Sequence, residues 1–214
     1  MLLVEDSMTR EVTTLGSDAT AAEALTLCRE RRIRHLPVLQ EGRLVGIVSD
    51  RDLRAAAPVL GAPDRAAALE QIRVADVMNR EVLTVHPRAP IEDAASDMYE
   101  RKIGCLPVVS DGNLVGIITS TDVMHALVML LGTDEPGSPV EVELSRHPGA
   151  LAGVTEILKD SNSNVVSVLT PPRRDDGRMS MIFRLATIDP HRAIMGLEAA
   201  GYRVLWPPER GVRR

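Results

Sequence analysis

Ser49 and Asp52 stand three residues apart, directly after the apolar run Leu44-Val45-Gly46-Ile47-Val48. The arrangement returns as Thr119 and Asp122 behind Leu114-Val115-Gly116-Ile117-Ile118. A hydroxyl at the end of a buried strand can cap the helix that follows, because its oxygen accepts a hydrogen bond from a free backbone N–H two or three residues on. An acid in the first turn suits the positive end of the helix dipole. The same helix end presents unpaired N–H groups to phosphate, and a carboxylate one turn in can accept hydrogen bonds from both hydroxyls of a ribose. Two chemistries are therefore open: capping alone, or capping combined with binding of a phosphorylated sugar. Arg51 offers a guanidinium suited to phosphate oxygens, whereas Thr121, in the matching place, is uncharged.

These pairs belong to an internal repeat whose constant offset carries Gly46 onto Gly116 and holds without a gap far upstream. Met8-Thr9-Arg10-Glu11-Val12-Thr13-Thr14 matches Met78-Asn79-Arg80-Glu81-Val82-Leu83-Thr84. Ile33-Arg34-His35-Leu36-Pro37-Val38 matches Ile103-Gly104-Cys105-Leu106-Pro107-Val108. Roughly two in five aligned positions are identical, so an internal repeat dictates the architecture. Each copy reads as a short extended segment, then helix, strand, hairpin, strand and helix. The first helices are Ala21 to Arg32 and Ile91 to Lys102, with Thr20 and Pro90 at their starts. Glu41-Gly42 and Asp111-Gly112, each between apolar runs, signal tight hairpins. One copy would leave the apolar face of a small three-stranded sheet uncovered, so the two copies are expected to pack together. Between them, Arg54 to Asp76 reads as the end of one helix, a loop broken at Pro58, Gly61 and Pro63, and one short helix.

After an apolar helix over Met124 to Leu131, Gly132 to Pro139 reads as a linker, since proline, glycine and small polar residues block regular structure. Beyond it the pattern changes. Val140-Glu141-Val142-Glu143-Leu144 alternates like a half-exposed strand, and Ala150 to Lys159 is a helix with Leu151, Val154, Ile157 and Leu158 on one face. A strand over Asn164 to Thr170, a charged turn over Pro171 to Arg178 and a strand over Met179 to Thr187 follow. A helix over His191 to Ala200 ends at Gly201, and Tyr202 to Trp206 closes the series. That order is the βαββαβ of ferredoxin-like folds. The fold class is α+β, with boundaries at 1–68 and 69–131 for the repeats, 132–139 for the linker, 140–206 for the last domain and 207–214 for a loose tail.

Composition narrows the function classes. The 214 residues are 44% hydrophobic and 26% charged, as in an ordinary globular protein. A net charge of −5 with interspersed signs disfavours nucleic-acid binding, and 2% aromatic content removes stacking platforms for single strands. No run approaches the roughly 18 apolar residues that cross a bilayer. Met1 to Asp6 lacks the basic start and apolar core of a signal peptide, so a cytoplasmic location is expected. Cys28 and Cys105 form no CxxC pair and read as reduced thiols. The histidines, His35, His86, His125, His147 and His191, lack ligand spacing, so no metal site is expected.

The repeats resemble a tandem pair of CBS domains, a ligand-sensing module, over about Val4 to Leu131. Three features carry the likeness: Met-x-Arg-Glu-Val with Thr14 or Thr84, the Leu-Pro-Val strand, and Gly-Ile-x-Ser/Thr-x-x-Asp. The C-terminal part resembles an ACT domain through Arg146-His147-Pro148-Gly149-Ala150-Leu151 and Asn162-Ser163-Asn164-Val165-Val166. The order CBS–CBS–ACT is similar to the acetoin-utilisation protein B type. The resemblance implies that Asp52 and Asp122 bind ribose hydroxyls, that Ser49 and Thr119 face phosphate or ribose, and that Arg51 and Thr121 reach the phosphates. It places Thr14 and Thr84 in the pockets, and Ile33, His35 and Pro37, with Ile103, Cys105 and Pro107, around an adenine. Since Arg51 faces Thr121 and His35 faces Cys105 across the repeat, the two sites need not bind equally, and the Arg51 site is expected to tolerate more phosphate charge. An amino-acid effector loop in the ACT-like part would comprise Pro148, Gly149, Leu151 and Asn164.

The expected function is that of a non-catalytic regulatory protein sensing AMP, ADP or ATP, with S-adenosylmethionine and NAD as second candidates. No catalytic cofactor is expected, and magnesium only as a companion of ATP. A homodimer and a regulated partner protein are expected, without nucleic acid or membrane. Two other readings are a structural adaptor with degenerate sites and an ACT-domain amino-acid sensor. An enzyme lacks support, since no nucleophile–base pair, metal-ligand set or Walker loop is visible.

Overall fold

The computed structural model describes residues 1–57, 64–145, 147–172 and 179–208. Two compact units divide the chain, Met1–Met124 and His125–Arg214. The first copy of the repeat forms α1 (Val4–Ser7), β1 (Leu15–Gly16), α2 (Ala21–Arg31), β2 (His35–Gln40), β3 (Arg43–Ser49) and α3 (Asp50–Ala56). After α4 (Arg65–Gln71) the second copy forms α5 (Val74–Val77), α6 (Ile91–Arg101), β4 (Cys105–Ser110), β5 (Asn113–Thr119) and α7 (Ser120–Leu131). Each of these second-copy elements starts at the repeat counterpart of a first-copy start, as Val74 does for Val4 and Cys105 for His35.

Local chemistry explains the element ends. Thr20 and Glu23 close a capping box at α2: the Glu23 N–H donates to Thr20 Oγ1 at 3.2 Å and the Thr20 N–H to Glu23 Oε2 at 2.8 Å. Glu41-Gly42 and Asp111-Gly112 all have positive φ, between 50° and 79°, which the mirror-image turns of two-residue hairpins require. The hairpins pair antiparallel with a register shift at matching places, Val38/Leu39 and Val108/Val109. β1 adds a parallel third strand to the first hairpin; in the second copy that strand shrinks to one parallel bridge, Val85 to Val108.

The repeats interlock by exchanging their opening segments. Asn79 bridges to Ile47 on β3, and Thr9 bridges to Ile117 on β5. Val74 and Met78 therefore lie in one buried cluster with Ala21, Ala24, Cys28, Leu36, Val38, Val48 and Leu53. Two expectations need correction here. Met8 and Met78 are each preceded by a helical turn, α1 and α5, so Arg54 to Asp76 contains the start of an additional short helix. Each turn docks against the other copy, with the Val4 N–H donating to Ala89 O at 2.9 Å and the Val74 N–H to Ala19 O at 2.8 Å. Tertiary pairing fixes these four-residue turns, which are too short to show a helical period. The expected loop breakers Pro58, Gly61 and Pro63 lie outside the described residues.

The second unit contains β6 (Ser138–Leu144), α8 (Ala150–Asp160), β7 (Val165–Leu169), β8 (Met179–Leu185), α9 (His191–Ala199) and β9 (Val204–Trp206). All its strand pairs are antiparallel, in the order β7-β8-β6-β9. The order of elements is β-α-β-β-α-β, as expected from the sequence. Val140, Val142, Leu144, Phe183 and Leu185 pack with Val154 and Leu158 of α8 and Ala193 and Leu197 of α9. Leu151, expected on that face, is 41% exposed in the first turn of α8. Ser138 and Pro139, expected in the linker, are already strand. At Pro139 β6 pairs only with β8, so the strand is locally an edge where a missing N–H is tolerated. Arg146 and residues 173–178, which contain most of the expected charged turn, lie outside the described residues, as does the tail from 209.

Candidate functional site

β3 and β5 end where a hydroxyl begins a helix, and both sequence pairs form the same local structure. Ser49 Oγ donates to Asp52 Oδ2 at 2.6 Å, while the Asp52 N–H donates back to Ser49 Oγ at 3.2 Å and the Ser49 N–H to Oδ2 at 3.1 Å. Thr119 and Asp122 repeat the box, with the hydroxyl donating at 2.7 Å and the Thr119 N–H at 2.8 Å. Capping is therefore real in both copies. It occupies Oδ2 of Asp52, and among the described residues Oδ1 accepts no hydrogen bond.

The first box lies in a cleft of about 920 Å³ built from both repeats. The first repeat lines it with Arg34, His35, Arg54 and the run Ile47 to Asp52. The second contributes Asn79 and Glu81 to Leu83 from its opening segment, then Arg101 to Cys105 and Pro107. The bridge from Asn79 to Ile47 explains this composite wall, since it lays the opening of one copy along the closing strand of the other. Of the sequence-predicted residues, His35, Ser49, Arg51, Asp52, Ile103, Cys105 and Pro107 come together here. Thr14, Ile33, Pro37, Thr119, Thr121 and Asp122 do not line this cleft; all but Thr14 are the repeat counterparts of residues that do.

Thr84 lines a separate cleft of about 310 Å³ with Arg43 and Arg80, one residue beyond Leu83 in the wall of the main cleft. The residues of the expected effector loop flank and enter α8. Gly149 (φ 91°) precedes α8, whereas Asn164 follows it, so an 11-residue helix, about 16 Å long, separates them.

The cleft is more cationic than the chain. Arg34, Arg51, Arg54, Arg101 and Lys102 stand against Asp50, Asp52 and Glu81, in a protein of net charge −5. Arg54 pairs with Asp50 at 3.5 Å, Arg101 with Asp97 at 3.6 Å, and Lys102 lies 4.2 Å over the Tyr99 ring. Arg34 and Arg51 have no ion pair among the described residues. Burial holds the His35 imidazole below its usual range; Asp50 and Asp52 oppose that effect, while Arg34 and Arg51 add to it. Burial also pushes the Cys105 thiol up to about 12, so it is a packing group at neutral pH and no nucleophile. Sequence reasoning missed the cations contributed by the second copy. Their signal was Arg101-Lys102 immediately before Ile103, legible only once the exchange of segments is known. Among the described residues no cluster of His, Cys, Asp or Glu could hold a metal, and no helix is long and apolar enough to cross a membrane.

Known proteins agree with this architecture. The family model for the CBS domain matches residues 4–58 and again 74–129. A Vibrio cholerae protein assigned to acetoin utilization (AcuB) is 39% identical, with a TM-score of 0.54, over 64% of this chain and 99% of that one. CBSX2, solved in complex with AMP, is 31% identical with a TM-score of 0.54, over 61% of this chain and 99% of its own. The CBS domain pair of protein MJ0100, in complex with 5′-methylthioadenosine and S-adenosyl-L-methionine, is 30% identical with a TM-score of 0.51, over 59% of this chain and 99% of that chain. A composite cleft, two capping boxes at matching places and two matches to one family model lead to one assignment: this chain belongs to the CBS-domain family and carries the domain as a tandem pair.

Proposed function

We propose that the chain is a non-catalytic regulatory protein in which the cleft beside Asp52 senses an adenine nucleotide. The single observation that carries this reading is the composite cleft itself, where a ribose-competent carboxylate and a helix start converge with Arg34 and Arg51, which have no ion pair among the described residues. Asp52 would accept the ribose hydroxyls, and Ser49, Arg51 and Arg34 would meet phosphate. Ile103, Cys105, Pro107 and Val82 would enclose the base. Relatives solved with AMP, 5′-methylthioadenosine and S-adenosylmethionine support an adenosine-containing ligand. Cationic excess favours AMP, ADP or ATP over the methylthio compound, with magnesium accompanying ATP alone. The box at Thr119 and Asp122, with Thr121, Ile33 and Pro37, would form a related site of lower phosphate capacity, because Thr121 replaces Arg51.

The segment 140–206 within the second unit serves in this reading as an ACT-like dimerisation domain of a cytoplasmic homodimer. The likeness to AcuB supports a role connected with acetoin use. Ligand binding shifts the packing of the two repeats by no more than its differential affinity for the two arrangements. The test is calorimetric titration of the full chain with AMP, ADP, ATP, S-adenosylmethionine and NAD. Saturable binding of at least one phosphorylated compound is expected. Absence of binding by all five, in protein free of carried-over ligand, would instead favour the adaptor reading, in which both boxes are caps and nothing more.

A further inference from the structure

His35 occupies a special place in the cleft. It opens β2, directly opposite Ser49 in the strand register, and its ring crosses from the first repeat to the second. A Cβ built on Gly104 would stand 3.0 Å from both Cε1 and Nε2 of that ring, tighter than ordinary contact. The imidazole therefore rests against the bare backbone of Gly104, and both residues line the cleft. The repeat reverses the bulk: Arg34 is the counterpart of Gly104, and Cys105 the counterpart of His35. Of the two repeats, only the first has an imidazole in this position. Among the described residues neither ring nitrogen has a hydrogen-bond partner.

We infer that His35, positioned by Gly104, makes ligand binding in this cleft proton-linked and selects phosphorylated over neutral adenosine compounds. The inference rests on the nucleotide-sensing reading above and adds the group that discriminates by charge. In the free protein burial favours the neutral ring. Asp50 and Asp52 on α3 favour the imidazolium, whereas Arg34 on its own segment and Arg51 on α3 oppose it. Glu81, Arg54, Arg101 and Lys102 complete the charged wall, and Gly104 and Cys105 face the ring without charge near neutrality. A phosphate held by Ser49, the register partner of His35, and by Arg34 beside it adds negative charge next to the ring, so the imidazole takes up a proton as the ligand binds. Affinity for a phosphorylated ligand then rises on acidification, by up to about tenfold for each unit that the bound phosphate raises the imidazole pKa.

The experiment is calorimetric titration with AMP and with adenosine at about pH 6 and about pH 7.5, where histidine changes charge. Two buffers of different ionisation enthalpy count the protons. It uses the full natural chain, His35→Gln and Gly104→Ala, the last retaining the imidazole but displacing it. The expected result is proton uptake with AMP in excess of that with adenosine, reduced in both variants together with the preference for AMP. The His35→Gln comparison also removes the titration of AMP's own phosphate from the difference. Undiminished uptake and preference in His35→Gln would overturn the inference while leaving the nucleotide-sensing reading standing. If His35→Gln does not fold, Gly104→Ala decides by the same two readouts. Failure of the natural chain to bind either compound would overturn both.

Discussion

Asn79 and Ile47 exchange two backbone hydrogen bonds of 2.9 Å, each N–H donating to the other's carbonyl. This reciprocal pair fastens the opening of the second repeat to the closing strand of the first. Thr9 and Ile117 make the same exchange in the other direction, again at 2.9 Å. The cleft exists because of these crossings, and neither repeat alone contains its walls.

Gly46 makes the first crossing possible. A Cβ there would stand 2.9 Å from Met78 Cγ and 3.2 Å from the Asn79 carbonyl. Gly46→Ala is therefore expected to cost about 1–3 kcal/mol of stability, the usual range for overpacking. Urea denaturation measures it. Adding Met78→Ala should recover part of the loss, so the double variant should be less destabilised than the sum of the singles.

The two thiols are both buried, one in each repeat. Cys28 is pushed up to about 11 and Cys105 to about 12, chiefly by burial. A thiol whose pKa rises on folding contributes stability that is full below the ordinary value of 9.0 and is lost as pH rises toward those folded values. Unfolding free energy should fall from about pH 9 upward, and the fall should be shallower in Cys28→Ala/Cys105→Ala. Labelling by a thiol reagent at about pH 8 should be slow in the folded chain and fast in denaturant; equal rates would contradict the burial.

Phe183 is the single phenylalanine of the chain and is fully buried in the second unit. Phe183→Ala should lower the stability of that unit by about 3–5 kcal/mol. A calorimetric unfolding scan should show the loss. Nucleotide affinity of the first unit should be unchanged at a temperature where the variant is still folded.

The residue pattern makes much of this legible in advance. The repeat locates both helix caps and both hairpins, and apolar alternation gives the βαββαβ order of the second unit. Capping hydroxyls, acid–Gly turns and alternating apolar residues all act over a few residues, which is why a linear reading finds them. Asp52 and Ser49 are legible for the same reason. What a linear pattern hides is the crossing. Val74 and Met78 belong by sequence to the second repeat but lie in the cluster of Leu36 and Leu53. Lys102 and Glu81 enter the cleft of the other repeat for the same reason, and Thr84 falls outside it by one residue. The helical turns α1 and α5 were hidden because four residues held by tertiary hydrogen bonds carry no period of their own.

The most direct test compares AMP titrations of the natural chain, Asp52→Ala and Asp122→Ala. Each variant loses the carboxylate half of its capping box but keeps the Ser49 or Thr119 cap on the backbone N–H, so folding is verified first by thermal unfolding. Asp52→Ala should weaken the tightest AMP site by about tenfold or more, as expected when charge-assisted ribose contacts disappear, whereas Asp122→Ala should leave that site within about twofold. AMP affinity unchanged in folded Asp52→Ala would contradict the assignment of the cleft and leave its carboxylate as a helix cap alone.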